Sequence, residues 1–272
     1  MTLKKIILIT GVSTGFGKHS ASLLAKQGHI VYGSVRSTLE DSDPSIKTIH
    51  LDLLDKSSIN IAVETVLNNE GRIDVLINNA GMHTGGPIET LPDEFIRKQF
   101  ETNFFGLVEL TRKVLPIMRN QGSGTIINIG SIGGLMGLPF QGYYSATKFA
   151  VEGFSEALRM EVKQFGINIV VVNPGDFNTN NTANRKNYLA PDIENSLYKN
   201  QFEKTLSVIE HDENNGWNPE ILARKMVKIV NCKNPHQRYV IASFEQKLAV
   251  FIKKILPGIL FSRILEDHYR IK

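Results

Sequence analysis

The chain has 272 residues, a length that suits one large α/β domain or one domain with an appended lobe. Its 31 Lys plus Arg against 27 Asp plus Glu give a formal net charge of +4, too little for a nucleic-acid protein held by bulk charge. With 42% hydrophobic and 21% charged residues it can bury a core, and its single cysteine, Cys232, excludes an intrachain disulfide or a cysteine zinc cluster.

At the N-terminus, Ile6-Ile7-Leu8-Ile9 is an apolar run too short for the core of a signal peptide. No stretch has 18 uninterrupted apolar residues, so no spanning helix is expected and the chain reads as soluble and cytosolic. Short β-branched runs predict strands at 5–9, 30–35, 46–51, 75–78, 125–129, 167–172 and 238–241. They are continuously apolar, as expected when helices cover both faces of a sheet. Helices are predicted at 15–27, 56–69, 93–120, 146–165 and 220–230. The alternation implies one doubly wound parallel sheet of about seven strands, with ligands at the edge where the strands end.

Thr10-Gly11-Val12-Ser13-Thr14-Gly15-Phe16-Gly17 follows the first strand and opens a helix. Its glycines let the backbone approach a pyrophosphate, and the helix N-terminus offers free N–H groups to that anion. The other reading is an ordinary strand–helix turn. The second strand ends in Val35-Arg36-Ser37 without an acid for a ribose 2′-hydroxyl, and Arg36 can fork onto a 2′-phosphate. This predicts NADP(H) over NAD(H), against Arg36 as a plain surface residue. In Leu51-Asp52-Leu53, the Asp52 carboxylate either accepts from an adenine amino group or caps the helix at 56–69. Asn78-Asn79-Ala80-Gly81 either lines the cofactor or braces the sheet.

Tyr144 and Lys148 are four apart on a predicted helix and share a face, so the ammonium can favour the phenolate. Ser131, after the fifth strand, can donate to a carbonyl oxygen. Each match alone is weak; their order along one ligand edge carries the weight.

These residues resemble the short-chain dehydrogenase/reductase family over nearly the whole chain. The resemblance rests on Thr10–Gly17, Asp52, Asn78–Gly81, Asn103, Ser131, Tyr144-x-x-x-Lys148, and Pro174-Gly175 with Thr179. The stretch from Gly130-Ser131 to Pro139-Phe140 is similar to the 17β-hydroxysteroid and retinol dehydrogenase branch. So are Lys148-Phe149-Ala150-Val151-Glu152-Gly153, Asn218-Pro219-Glu220 and Arg238-Tyr239. The resemblance implies a single Rossmann-type domain with Tyr144 as acid/base. It implies that Lys148 holds the nicotinamide ribose and that Ser131 polarises the substrate oxygen. Asn103 would hold a water that links Lys148 to solvent. Pro174, Gly175, Phe177 and Thr179 would line the nicotinamide. The Asn-rich segment 178–187 departs from the family's pattern.

The expected activity is NADP(H)-dependent hydride transfer to or from a carbonyl or alcohol of an apolar, steroid-, retinoid- or lipid-like substrate. Sugar or acyl-carrier-linked ketones, with Lys186, Lys199 and Lys204 at the entrance, are the alternative, and a non-catalytic NADP-binding regulator a further one. A catalytic domain spans 1–243, with a lid at 176–217 whose Phe177, Tyr188, Leu189, Leu197, Tyr198 and Phe202 would supply apolar walls. His83, Met136, Leu138 and Tyr143 fall near the expected pocket without an assigned role.

The tail, 244–272, reads as two amphipathic helices broken at Pro257-Gly258. It holds six Lys plus Arg against three Asp plus Glu, most of the chain's net charge. Packing within the protein is the favoured reading, over a subunit interface or a membrane surface. A homo-oligomer, dimer or tetramer, is expected, with no metal and no nucleic acid.

Overall fold

The computed structural model describes residues 3–37, 43–179, 189 and 193–271. Seven parallel strands form one sheet in the order β3-β2-β1-β4-β5-β6-β7. They are β1 (Ile6–Ile9), β2 (Ile30–Val35), β3 (Ile46–His50), β4 (Val75–Asn78), β5 (Gly124–Ile129), β6 (Ile167–Pro174) and β7 (Arg238–Ile241). The sheet follows the predicted runs closely. The sixth strand runs two residues beyond its predicted end, because Asn173 and Pro174 pair with Val240 and Ile241.

The β1 side chains show why the strands are apolar on both faces. Ile6 and Leu8 join one core with α2 (Lys56–Glu70), α4 (Gly106–Gln121) and α5 (Gly142–Val162). Ile7 and Ile9 join the opposite core with α1 (Gly15–Lys26) and α7 (Pro219–Asn231). Each of these four β1 side chains is buried, and each such burial stabilises the fold by about 1.5–3 kcal/mol. Because strand order reverses between β1 and β4, a crevice opens at their C-terminal ends, where ligands bind in doubly wound sheets.

Local chemistry sets the helix starts. Asp55 caps α2 by accepting from the Ser57 N–H at 2.8 Å, so the cap lies three residues beyond Asp52. Asn218 caps α7 ahead of Pro219, which fits the first helical position. The helix predicted over 93–120 is three pieces: α3 (Asp93–Phe100), a π turn (Glu101–Phe105) and α4. π turns of this kind recur at functional sites. α5 begins at Gly142, so Tyr144 lies in its first turn.

The segment 176–217 contains α6 (Lys199–Asn214) and a short turn at Ile193–Asn195. Its base is closed where Trp217 N donates to Asp176 O at 3.1 Å and Asn178 N donates to Trp217 O at 3.0 Å. The tail forms α8 (Phe244–Ile255), started by a capping box of Ser243 and Gln246, and α9 (Gly258–His268). Val250 and Phe261 pack with Ile132, Met136 and Ala242 in a third core beside the crevice.

Candidate active site

Helix α1 starts directly after a loop in which Gly11 has φ 73° and Gly15 φ 55°, a region side chains disfavour. Gly17 is buried against that loop: a Cβ there would stand 2.0 Å from Gly11 O. Asn79 clamps the loop from β4, its Nδ2 donating to Thr10 O at 2.8 Å and Gly11 O at 3.1 Å. The Thr10 hydroxyl accepts from the backbone N–H groups of Asn79 and Ala80, both at 2.9 Å. Thr14 makes no side-chain cap, so the first N–H groups of α1 face the crevice for an anion.

The crevice holds a cavity of about 950 Å³. Gly11, Ser13, Thr14, Gly15 and Phe16 form its floor, and Arg36, Asp52 and Leu53 line one end. Asn79, Ala80, Gly81, Ser131, Tyr144, Lys148, Pro174, Gly175, Phe177 and Thr179 line the rest. Thr10, Gly17 and Asn103 are buried and do not line it. Arg36 is exposed at the end of β2. Asp52 Oδ1 accepts from Leu54 N at 3.0 Å, which tightens the turn ahead of α2.

Lys148 is 6% exposed, and its Nζ donates to Ile129 O at 2.8 Å. Burial lowers its pKa to about 8. The same Nζ is 5.7 Å from the centre of the Tyr144 ring. Ser131 Oγ accepts from Gly133 N at 3.0 Å, which leaves the hydroxyl proton for an acceptor in the cavity. Gly133 brings the two walls together, since a Cβ there would stand 3.4 Å from Ser131 Oγ and 3.5 Å from the Tyr144 ring.

Asn103 sits in the π turn. Its Oδ1 accepts from Met82 N at 2.7 Å, and its Nδ2 donates to Met82 O at 2.8 Å and Thr147 Oγ1 at 3.2 Å. Its amide is thus engaged by protein groups beside Gly81.

Four further residues belong to the site. His83 stacks on Tyr144 with ring centres 4.1 Å apart and an interplanar angle of 21°. Asn173 Oδ1 accepts from Ser131 N at 2.9 Å, while its Nδ2 donates to Glu152 Oε1 at 2.6 Å. Glu152 Oε2 in turn accepts from Arg238 at 2.5 Å. Glu152 and Arg238 stand in stretches that carried the family resemblance, but their joint hold on Ser131 needs the β6–β7 pairing to be seen.

The apolar walls differ from expectation. Phe177 lines the cavity and packs edge-on against Phe16 and Trp217. Leu197, however, is fully exposed, Tyr198 donates to Glu89 at the surface, and Phe202 is buried against Phe140. Leu189 forms a backbone bridge with Gly85, and Tyr188 and Lys186 lie outside the described residues. Helix α6 turns Ile209, His211, Asp212 and Glu213 to the cavity instead, and the tail adds Ala249, Ile264, Leu265 and Tyr269. Met136 and Leu138 line the cavity, whereas the Tyr143 hydroxyl donates to Ile88 O.

Asp176 marks a polar side of this space. Burial, with Asp212 and Glu213 nearby, pushes its pKa up to about 6, and the Gln246 amide donates to its carboxylate. Burial beside the same three carboxylates raises the Tyr269 phenol further still.

A family model described as short chain dehydrogenase matches residues 5–189. A 3-ketodihydrosphingosine reductase of Bacteroides thetaiotaomicron is 46% identical over 268 residues, covering 98% of this chain and 99% of the relative. An NADPH-dependent 3-dehydrocapnine reductase of Ornithobacterium rhinotracheale is 33% identical over 86% of this chain and 87% of its own. The crystal structure of a short-chain dehydrogenase from Streptomyces avermitilis superposes with a TM-score of 0.81 at 31% identity, covering 98% of this chain and 97% of that one. Its sequence and its fold together place the chain in the short-chain dehydrogenase/reductase family.

Proposed function

We propose that this oxidoreductase reduces a long-chain, apolar ketone with NADPH, and that Tyr144 delivers the proton. One observation carries the reading: Tyr144, Lys148 and Ser131 share a cavity with the glycine loop, and Met136, Leu138, Ala249, Ile264 and Leu265 add apolar lining to it. The loop fits a dinucleotide, because Gly17 has no room for a side chain and α1 begins uncapped. A nicotinamide bound there supplies the hydride.

The chain's own groups do the rest. The Ser131 hydroxyl donates to the carbonyl oxygen and stabilises the charge that develops on it. Tyr144 gives its phenolic proton to the same oxygen, and the Lys148 ammonium steadies the phenolate that remains. Asn103 acts as a positioning residue, holding Met82 and so the turn at Gly81 beside Lys148.

Arg36 at the cavity end, with no acid between Val31 and Ser37, supports NADP(H) over NAD(H). The ketone class is supported by the apolar part of the lining and by the two similar reductases, whose names specify a 3-keto or 3-dehydro substrate and, for one, NADPH. The polar groups around Asp176 suit the head of such a molecule. The test is NADPH absorbance loss with 3-ketodihydrosphingosine and with ketones of graded chain length, repeated with NADH. Burial of a chain predicts kcat/KM at least roughly a hundredfold higher for the long ketone than for a short one. Preference for a sugar or an acyl-carrier-linked ketone overturns the substrate reading.

A further inference from the structure

Helix α8 is apolar on two sides. Val250, Ile252 and Leu256 face the protein core. Phe244, Leu248, Phe251 and Ile255 lie on another side, within about 60° of one another at 100° per residue. These four point to water, with Phe244 75%, Phe251 58% and Ile255 62% exposed. Helix α9 extends the patch with Ile259, 74% exposed, and Leu260. A contiguous row of large exposed apolar side chains marks an interaction surface.

Its charge says what kind. Between Phe244 and Ile264 the tail carries Lys247, Lys253, Lys254 and Arg263 against Glu245 alone. Lys247 and Lys254 run along one border of the row on the helix. Long cationic side chains beside an apolar stripe suit a bilayer interface, where their stems lie in the acyl boundary and their heads meet lipid phosphates. Antiparallel self-pairing, across a two-fold axis perpendicular to the helix, brings the like-charged borders together, which disfavours that pairing of a second copy. The patch is also continuous with the cavity wall. Trp217 lines the cavity and has Lys247 Nζ 5.8 Å above its ring, and Ile264 of α9 is both cavity-lining and exposed. Among the described residues no helix is long and apolar enough to cross a membrane.

We infer that the exposed face of α8 and the start of α9 form a docking surface for an anionic lipid bilayer, with the cavity mouth turned toward the lipid. Docking so arranged gives a lipid-like ketone a path that avoids water, but the surface itself stands on geometry and charge, independent of the reaction assigned above.

The test uses the full chain and flotation with vesicles of phosphatidylcholine alone or with about one third phosphatidylglycerol. Wild type is expected to float with the anionic vesicles, more weakly in high salt. Phe251→Ser with Ile255→Ser is expected to lower the partition coefficient at least about tenfold, from lost apolar burial. Lys247→Glu with Lys254→Glu is expected to lower it comparably on anionic vesicles and little on neutral ones. Circular dichroism should remain at wild-type level in both variants, and so should turnover of a short soluble ketone by the serine variant, neither of whose residues lines the cavity. Wild type that stays out of the vesicle fraction, or a serine variant that floats like wild type, overturns the inference. So does light scattering in which the serine variant turns a dimer into a monomer, which assigns the face to a second copy.

Discussion

Asn173 and Ser131 are joined at 2.9 Å, side-chain oxygen to backbone N–H, and the Asn173 amide has only one workable orientation. Its oxygen must accept from Ser131, because its nitrogen must donate to the Glu152 carboxylate at 2.6 Å. There is no slack at the contact, since a Cβ on Gly130 would come within 2.0 Å of that oxygen. The Ser131 backbone is therefore held from β6 and, through Glu152 and Arg238, from β7. Asn173→Ala should lower kcat/KM for ketone reduction roughly 10–100-fold, as displacement of a reacting group does. NADPH affinity, measured by fluorescence titration, should change little. Unchanged kcat/KM removes Asn173 from the positioning of Ser131.

Lys148 is ionised at a stability cost. Its folded pKa of about 8 lies below the ordinary 10.5, so the unfolded chain holds this proton more firmly. The cost is complete below pH 8 and fades as pH rises toward 10.5. Lys148→Met should therefore raise stability at pH 7 by about 1–3 kcal/mol in denaturant titration. The advantage should disappear between pH 8 and 10.5, while turnover is lost at every pH. A variant less stable than wild type at pH 7 contradicts the burial cost assigned to the ammonium.

Asp176 has the opposite sign for an acid. Its folded pKa of about 6 lies above the ordinary 3.8, so ionisation destabilises the folded protein, fully so above pH 6. Asp176→Asn should melt higher than wild type at pH 8, and the two should converge below pH 4. An asparagine still offers an oxygen to the Gln246 amide. Equal melting temperatures at pH 8 refute the assigned cause.

Arg36 is the one basic side chain at the end of β2 and lines the cavity. Arg36→Asp should shift the NADPH-to-NADH ratio of kcat/KM toward NADH by roughly 10-fold or more, from loss of a charge-assisted phosphate contact. An unchanged ratio excludes Arg36 from coenzyme choice.

Much of this was legible in the sequence for a physical reason. A buried parallel strand needs a continuous apolar run, so Ile6–Ile9 and Val75–Asn78 announce themselves. The glycine loop reads as a close approach because Gly17 tolerates no side chain. The π turn at Glu101–Phe105 was not legible, since its residues carry an ordinary helical pattern. Phe177 lines the cavity as expected, but Leu197, Tyr198 and Phe202 do not, for a different reason. The turn of α6 decides which of its side chains face inward and buries Phe202 against Phe140, while Leu197, two residues before the helix, stands in water. Apolar lining instead arrives from α9, more than sixty residues downstream, where Ile264 and Leu265 meet the cavity. Contacts that distant have no local signature. The same holds for His83, whose stacking on Tyr144 depends on the loop after β4 folding over the start of α5.

Tyr144→Phe removes only the phenolic oxygen and keeps the ring that stacks on His83. Single-turnover NADPH oxidation by this variant, with a long-chain ketone, tests the proton-donor assignment most directly. The expected result is a rate lowered by at least roughly a thousandfold with NADPH affinity retained. Turnover near the wild-type rate contradicts it.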